Sequence, residues 1–129
     1  MTKETVRRDT QQRKIICQVV SQADRPLSPQ EILAAAQVYL PRLGIATVYR
    51  SVKYLTQGGT FQMVELPGEG LRYELSGKHH HDHFRCRNCG KVYEVDCCIQ
   101  AHDYSLPPGF SVEEHIVVLY GLCAACASN

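Results

Sequence analysis

The sequence contains no run approaching the roughly 18 to 20 consecutive apolar residues of a membrane span, and its opening, MTKETVRRDT, lacks an apolar signal core. The expected location is therefore the cytoplasm. In that reducing compartment seven cysteines are poor material for a disulfide framework, and paired CxxC spacings point to metal instead. Two signatures of a catalytic metal are also missing. No HExxH and no H-x-E…P-C-x-x-C pattern supplies an open coordination position with a general base, so a metal-assisted hydrolase is disfavoured and the chain is not expected to be an enzyme.

Net charge is scarce as well, at +1, but the charges are unevenly placed. Residues 1 to 63 carry nine Lys/Arg against four Asp/Glu, while residues 64 to 129 carry five against nine. A near-neutral total thus hides a basic front half and an acidic, His-rich back half. A chain of 129 residues can bury one ordinary core or two small ones. Two modules of this size would each be marginal alone and would need a metal or a partner chain.

In the front half, Ile16, Val19, Val20 and Ala23 fall at helical spacing within residues 10 to 23, with Thr10 placed to cap the start. Ser28-Pro29-Gln30-Glu31 combines an N-cap serine, a first-turn proline and a glutamate at the third position. It predicts a second helix whose buried face is Ile32, Leu33, Ala36, Tyr39 and Leu40, stopped by Pro41. A third helix is predicted from Ala46 to Gln57, with Val48, Val52 and Leu55 inward and Gly58-Gly59 ending it. Its other face collects Thr47, Tyr49, Arg50, Lys53, Tyr54 and Gln57 and has no acid, which favours a polyanion.

Strand-like runs Thr60 to Leu66 and Leu71 to Leu75 then flank the turn sequence Pro67-Gly68-Glu69-Gly70, with Leu71, Tyr73 and Leu75 alternating as in a half-buried strand. Three short helices and a hairpin are the plan of a winged helix-turn-helix, whose second motif helix enters the DNA major groove. On that plan Arg50 suits guanine and Tyr49 a thymine methyl, while Arg13, Lys14 and Lys53 suit phosphates. The competing reading makes Tyr49 and Tyr54 packing residues beneath the hairpin.

The back half carries the strongest chemical signal. Cys86-Arg87-Asn88-Cys89 and Cys123-Ala124-Ala125-Cys126 offer four thiolates, the closed tetrahedral set of a structural Zn²⁺. The 33 residues between Cys89 and Cys123 exceed the usual ribbon gap, so an intervening strand must return the second pair; Phe110 to Leu122 is the candidate. Redox dithiols are the alternative. Just upstream lies His79-His80-His81-Asp82-His83, whose extended backbone would turn His79, His81 and His83 one way and His80 and Asp82 the other. Glu74 and Glu94 are candidate carboxylates for the first face, and His115 for the second. Such mixed ligands suit exchangeable Fe²⁺, Mn²⁺ or Zn²⁺.

Taken together, these residues resemble the ferric uptake regulator (Fur) family of metal-dependent repressors over essentially the whole chain. The carrying motifs are Arg8-Asp9-Thr10-Gln11-Gln12-Arg13, Gly44-Ile45-Ala46-Thr47-Val48-Tyr49-Arg50, Tyr73-Glu74-Leu75, the His79 to His83 run with Cys86 and Cys89, and Leu119-Tyr120-Gly121 before Cys123 and Cys126. The resemblance implies an α+β chain: a winged helix-turn-helix over residues 1–76, then a small α/β metal-binding dimerisation domain with the four-cysteine zinc site over residues 77–129. It implies a homodimer that binds an AT-rich inverted-repeat operator when a divalent metal occupies the hinge, repressing genes of metal homeostasis.

Carried over by position, the regulatory site takes Glu74, His81, His83 and Glu94, and a second site takes His80, Asp82 and His115, with His79 unassigned. Two departures stand out. Many relatives supply a histidine from the start of the second helix where this chain has Pro26, and Glu65 is a candidate replacement. The segment from Asp96 to Pro108 is shorter than the family's usual dimer helix and holds Cys97, Cys98 and His102, with His102 or Asp103 as candidate second-site ligands. A peroxide-responsive regulator of the same family is the alternative function, and a metal-storage or zinc-ribbon interaction module the more distant one.

Overall fold

The computed structural model describes residues 3–77, 81–96 and 104–128. His79, His80, Cys97, Cys98, His102 and Asp103 lie outside the described residues. The chain divides into two compact units, Met1–Lys78 and His79–Asn129.

The first unit runs α1 (Lys3–Ala23), α2 (Pro29–Ala36), α3 (Ile45–Gln57), β1 (Phe61–Leu66) and β2 (Gly70–Leu75). Helix α1 starts well before Thr10, which lies inside the helix and does not cap it. No Gly or Pro occurs between Lys3 and Ala23, and the straight-chain residues Arg8, Gln11 and Gln12 favour continued helix. Asp24 then leaves the helix in the left-handed region at φ 55°, a conformation that Asp tolerates better than most residues.

Helix α2 opens on the predicted capping box. The Ser28 hydroxyl accepts from the Glu31 N–H at 3.2 Å, and the Glu31 carboxylate accepts from the Ser28 N–H at 3.0 Å. Its other oxygen meets Arg25 at 2.7 Å. Burial works against the Glu31 charge, but Arg25 and Ser28 outweigh it and hold the carboxyl below its usual range. The helix ends earlier than expected, at Ala36, because the N–H groups of Tyr39 and Leu40 both donate to the Ala36 carbonyl and close the chain into a turn. Tyr39 is therefore 49% exposed and does not extend the buried face.

Helix α3 buries Val48, Val52 and Leu55 as its spacing requires. These join Ile16, Val20, Ile32 and Phe61 in one core. Strands β1 and β2 pair antiparallel from Phe61↔Leu75 to Leu66↔Gly70. The N–H and carbonyl of Tyr73 both bond to Leu27, at 2.8 and 3.0 Å, so the α1–α2 connection adds a bridge to the hairpin edge. The simple alternation expected for β2 is not what forms. Leu71 is 40% exposed while Arg72, Tyr73 and Glu74 are all buried, so both faces of the hairpin are covered along this stretch.

The second unit contains β3 (His81–Cys86), β4 (Val92–Asp96), β5 (Val118–Gly121) and the single turn α4 (Ala124–Ala127). Their sheet order is β4-β3-β5, with β3 and β4 antiparallel and β5 parallel to β3. A strand does return the second cysteine pair, but it spans Val118–Gly121 and not Phe110 to Leu122. A β-branched run becomes a strand only where a partner edge exists. Pairing with β3 begins at His83↔Val118, near the start of β3 itself, which leaves His115 ahead of the strand. Gly121 eases the close approach of β5, since a Cβ there would lie 3.3 Å from the Phe84 ring, tighter than an ordinary contact. Among the described residues of this unit, the buried apolar side chains are Cys86 and Val92.

The capping box makes Ser28 a test of the first unit. Ser28→Ala should cost about 0.5 to 2 kcal/mol, read as a lower urea midpoint with an unchanged slope. Because the Glu31 carboxyl is held low in the folded state, its contribution should be present at neutral pH and lost as pH falls through the folded value.

Candidate metal centres and nucleic-acid interface

Cys86 ends β3, Cys89 sits in the turn after it, Cys123 caps α4 and Cys126 lies within α4. The fold brings all four Sγ atoms within 4.8 Å of one another. The Cys89 and Cys123 sulfurs are 3.9 Å apart. A tetrahedron with Zn–S bonds of about 2.3 Å has a sulfur–sulfur edge of about 3.8 Å, so the donor set matches a four-coordinate zinc in size and softness. This cluster is able to hold a structural zinc ion.

The turn favours the thiolate form of the first ligand. The Cys89 N–H, followed by that of Cys123, pulls the Cys86 thiol down to about 5, and burial offsets only part of this. Cys123 is also lowered, by the Cys126 N–H first. Cys126 behaves oppositely. The Asn88 amide lowers it, but crowding by Cys123 and Cys86, with burial and Cys89, leaves the thiol pushed up to about 11. Cys17, in the first unit, is a different kind of cysteine: burial raises its thiol and Arg13 only partly compensates, as for an inert packing residue.

Strand parity organises the imidazoles. His83 pairs with Glu94 across β3–β4, so His81, His83 and Glu94 share one face while Asp82 lies on the other. The His81 and His83 rings meet edge to face at 4.7 Å, and His81 Nε2 lies 3.9 Å from Glu94 Oε1. In the first unit Glu74 is 2% exposed and accepts a hydrogen bond from Gln62 Nε2 at 2.7 Å across the hairpin.

Gln62 was not singled out in the sequence, although counting register back from the Pro67-Gly68-Glu69 turn places it opposite Glu74. The same register puts Glu65 with Leu71, on the opposite hairpin face from Glu74, and Glu65 is exposed. Glu65 is thus not positioned to replace the ligand lost at Pro26, which is itself fully buried. Among the described residues, Asp82 and His115 gather no third ligand. The His115 ring lies instead 6.3 Å from that of Tyr104, and His80 is outside the described residues.

The acid-free face of α3 is exposed at Tyr49, Arg50, Lys53, Tyr54 and Gln57, with Thr47 half-buried. Arg50 donates to the Thr47 hydroxyl at 3.0 Å. The Gln30 amide donates to the Tyr49 hydroxyl at 3.4 Å, and burial followed by the nearby Tyr49 raises the Tyr73 phenol. The Arg13 guanidinium lies 4.2 Å over the Tyr54 ring, joining α1 to α3, whereas Lys14 is exposed. Arg8, Arg42 and Arg50 line one cleft of about 670 Å³ with Gln11, Gln12 and Thr47. Arg42 escaped the sequence reading because it stands in a corner with no periodic face.

A basic helix-turn-helix followed by a thiolate cluster and an imidazole–carboxylate face defines a metal-responsive DNA-binding regulator. A model of the ferric uptake regulator family matches residues 4–120. The ferric uptake regulation protein of Campylobacter jejuni is 33% identical over 122 residues, covering 91% of this chain and 78% of its own. The regulator FurA of Mycobacterium tuberculosis is 32% identical over 104 residues, covering 76% and 69%. The structure of the Helicobacter pylori ferric uptake regulator, described as having three functional metal binding sites, superposes with a TM-score of 0.64 at 25% identity, covering 91% and 80%. A zinc uptake regulator complexed with zinc and DNA does so with 0.55 at 27%, covering 91% and 81%. The chain belongs to the ferric uptake regulator family, and it is a metal-responsive transcriptional regulator rather than an enzyme.

The spread of thiol affinities has a measurable consequence. A Cys126 thiol near 11 is protonated at neutral pH and must release its proton to bind zinc. Apparent zinc affinity should therefore rise by about tenfold or more per unit across roughly pH 6.5 to 8.5. Competition against a chromophoric chelator measures it, and a pH-independent affinity would contradict this thiol chemistry.

Proposed function

We propose that this chain is a cytoplasmic homodimeric repressor that binds an inverted-repeat operator when Fe²⁺, Mn²⁺ or Zn²⁺ occupies a regulatory site made by Glu74, His81, His83 and Glu94. The observation that carries the reading is the face shared by His81, His83 and Glu94 on β3–β4. Its nitrogen and oxygen donors are chemically unlike the four thiolates of the same unit. Four thiolates close around an ion and keep it, whereas imidazoles with carboxylates exchange borderline divalent metals. The second unit thus offers the staple and three of the sensor's four ligands.

Residues 1–76 then form the DNA-binding domain, with Thr47, Tyr49 and Arg50 at base edges and Lys14 and Lys53 on phosphates. Arg13 acts on the same surface through Tyr54, whose position on α3 it steadies. Residues 77–129 form the metal-binding dimerisation domain. Support for a second copy comes from β5, an edge strand whose neighbourhood exposes Ile116, Leu119, Tyr120 and Leu122. An exposed apolar edge of this kind calls for a covering partner. No described helix is long and apolar enough to cross a membrane.

The test is a titration of duplex binding with each metal separately, on protein whose tightly held zinc is counted first. A coupling of about 1 to 3 kcal/mol predicts operator affinity rising roughly 5- to 150-fold with the cognate metal. His83→Ala and Glu94→Ala should abolish that response while retaining the tightly held zinc. Equal binding by metal-free and loaded protein would overturn the mechanism. Arg50→Ala should cost about 1 to 3 kcal/mol of duplex binding and relax sequence preference, visible in a competition gel-shift.

A further inference from the structure

Helix α4 is held to the second unit by very little. It is one turn of four residues with no buried side chain. Its own hydrogen bonds, Ala127 N–H to the Cys123 carbonyl and the Ser128 hydroxyl to the Ala124 carbonyl, both at 2.8 Å, stay within the turn. Cys126, a half-buried member of the cluster, thus sits on an element that no apolar packing fixes. The donor that meets its sulfur comes from the other end of the unit: Asn88 Nδ2 lies 3.3 Å from Cys126 Sγ, across 38 residues of sequence.

Asn88 is well placed for this. It stands between Cys86 and Cys89 in the turn that already supplies the Cys89 N–H to Cys86 Sγ at 3.5 Å. Its neighbour Arg87 donates its N–H to the Gly121 carbonyl at 2.7 Å and lays its guanidinium 5.1 Å over the Tyr120 ring. Two consecutive turn residues therefore grip the returning chain in succession, Arg87 at β5 and Asn88 at α4. The side-chain amide must present its NH₂ group to the sulfur, because an amide oxygen there would face thiolate lone pairs.

We propose that Asn88 is a positioning residue of the four-cysteine site, its amide donating to the Cys126 thiolate and keeping that ligand on the metal. This rests on the reading of the cluster as a zinc site. An N–H donor draws electron density from a thiolate, so the sulfur competes less well for a proton or an incoming chelator. Partners of this kind, one shell beyond the ligands, typically change metal affinity about 10- to 100-fold when removed. The buried Cys86 needs no such side chain, since backbone N–H groups serve it.

Asn88→Asp separates the hydrogen bond from shape, because Asp fills the same space but offers no donor at neutral pH. Asn88→Ala removes both. The full-length protein and both variants are loaded with zinc, checked for equal zinc content and circular dichroism, and mixed with excess chromophoric chelator. Both variants should release zinc about 10- to 100-fold faster than the parent. In the cobalt-loaded proteins both should move the sulfur-to-cobalt charge-transfer bands to lower energy while the tetrahedral d–d bands persist.

A variant that fails to retain zinc at all marks the same loss in stronger form, provided the other variant releases it faster than the parent. Release at the parental rate with unshifted bands in both variants would overturn the proposal. So would parental behaviour in Asn88→Asp alone, since that would make the role one of shape. If the parent itself holds no slowly released zinc, the zinc reading beneath the proposal fails, an outcome distinct from the other two.

Discussion

Four cysteine sulfurs gathered within 4.8 Å cannot all carry charge at neutral pH unless a cation lies among them, and the second unit is built around that condition. Its described residues bury only Cys86 and Val92 as apolar side chains, far too little for an independent core. The first unit has what the second lacks, a core of twelve buried hydrophobic residues drawn from all three helices, the α1–α2 and α2–α3 connections and the hairpin. The stability of the two units therefore rests on different physics. One is held by the exclusion of water from hydrocarbon, whereas a metal in the cysteine cluster would hold the other by bonds whose strength depends on the protonation of the ligands.

This division clarifies why two donor chemistries occur so close together in sequence. Thiolates at the ends of tight turns make a closed site that resists exchange. Imidazoles and a carboxylate across a two-strand ladder would make a site whose occupancy can follow the metal supply. Both use strand β3, the middle strand of its sheet, with His81 and His83 at its start and Cys86 at its end. A structural ion in the cysteine cluster would fix the strand on which the proposed exchangeable ligands are carried.

Local features were legible in the sequence and tertiary ones were not. The Ser28–Glu31 box, the inward residues of α3 and the turn between β1 and β2 depend on contacts a few residues apart, and they form as their spacing demands. The start of α1 was not legible, since Thr10 is a good capping residue that can also sit inside a helix when nothing upstream breaks it. The strand expected over Phe110 to Leu122 reduced to four residues because β propensity cannot say where a partner edge begins. Among site residues, cysteine spacing and histidine parity could be read directly. Glu65 was misplaced for want of a register count, and the contact of Asn88 with Cys126 could not be read at all, since it joins residues 38 apart.

The bridge between Leu27 and Tyr73 gives the first unit a mechanical property. Tyr73 is bonded through both its backbone groups to Leu27, and Leu27 immediately precedes the capping serine of α2, while Glu74 immediately follows Tyr73. A carboxylate at position 74 is therefore geared to the helix-turn-helix through two covalent steps and one doubly bonded bridge, with no loop between them to take up slack. The bonded path from that carboxylate reaches the N-cap of α2 directly, whereas α3 follows only after residues 37–44.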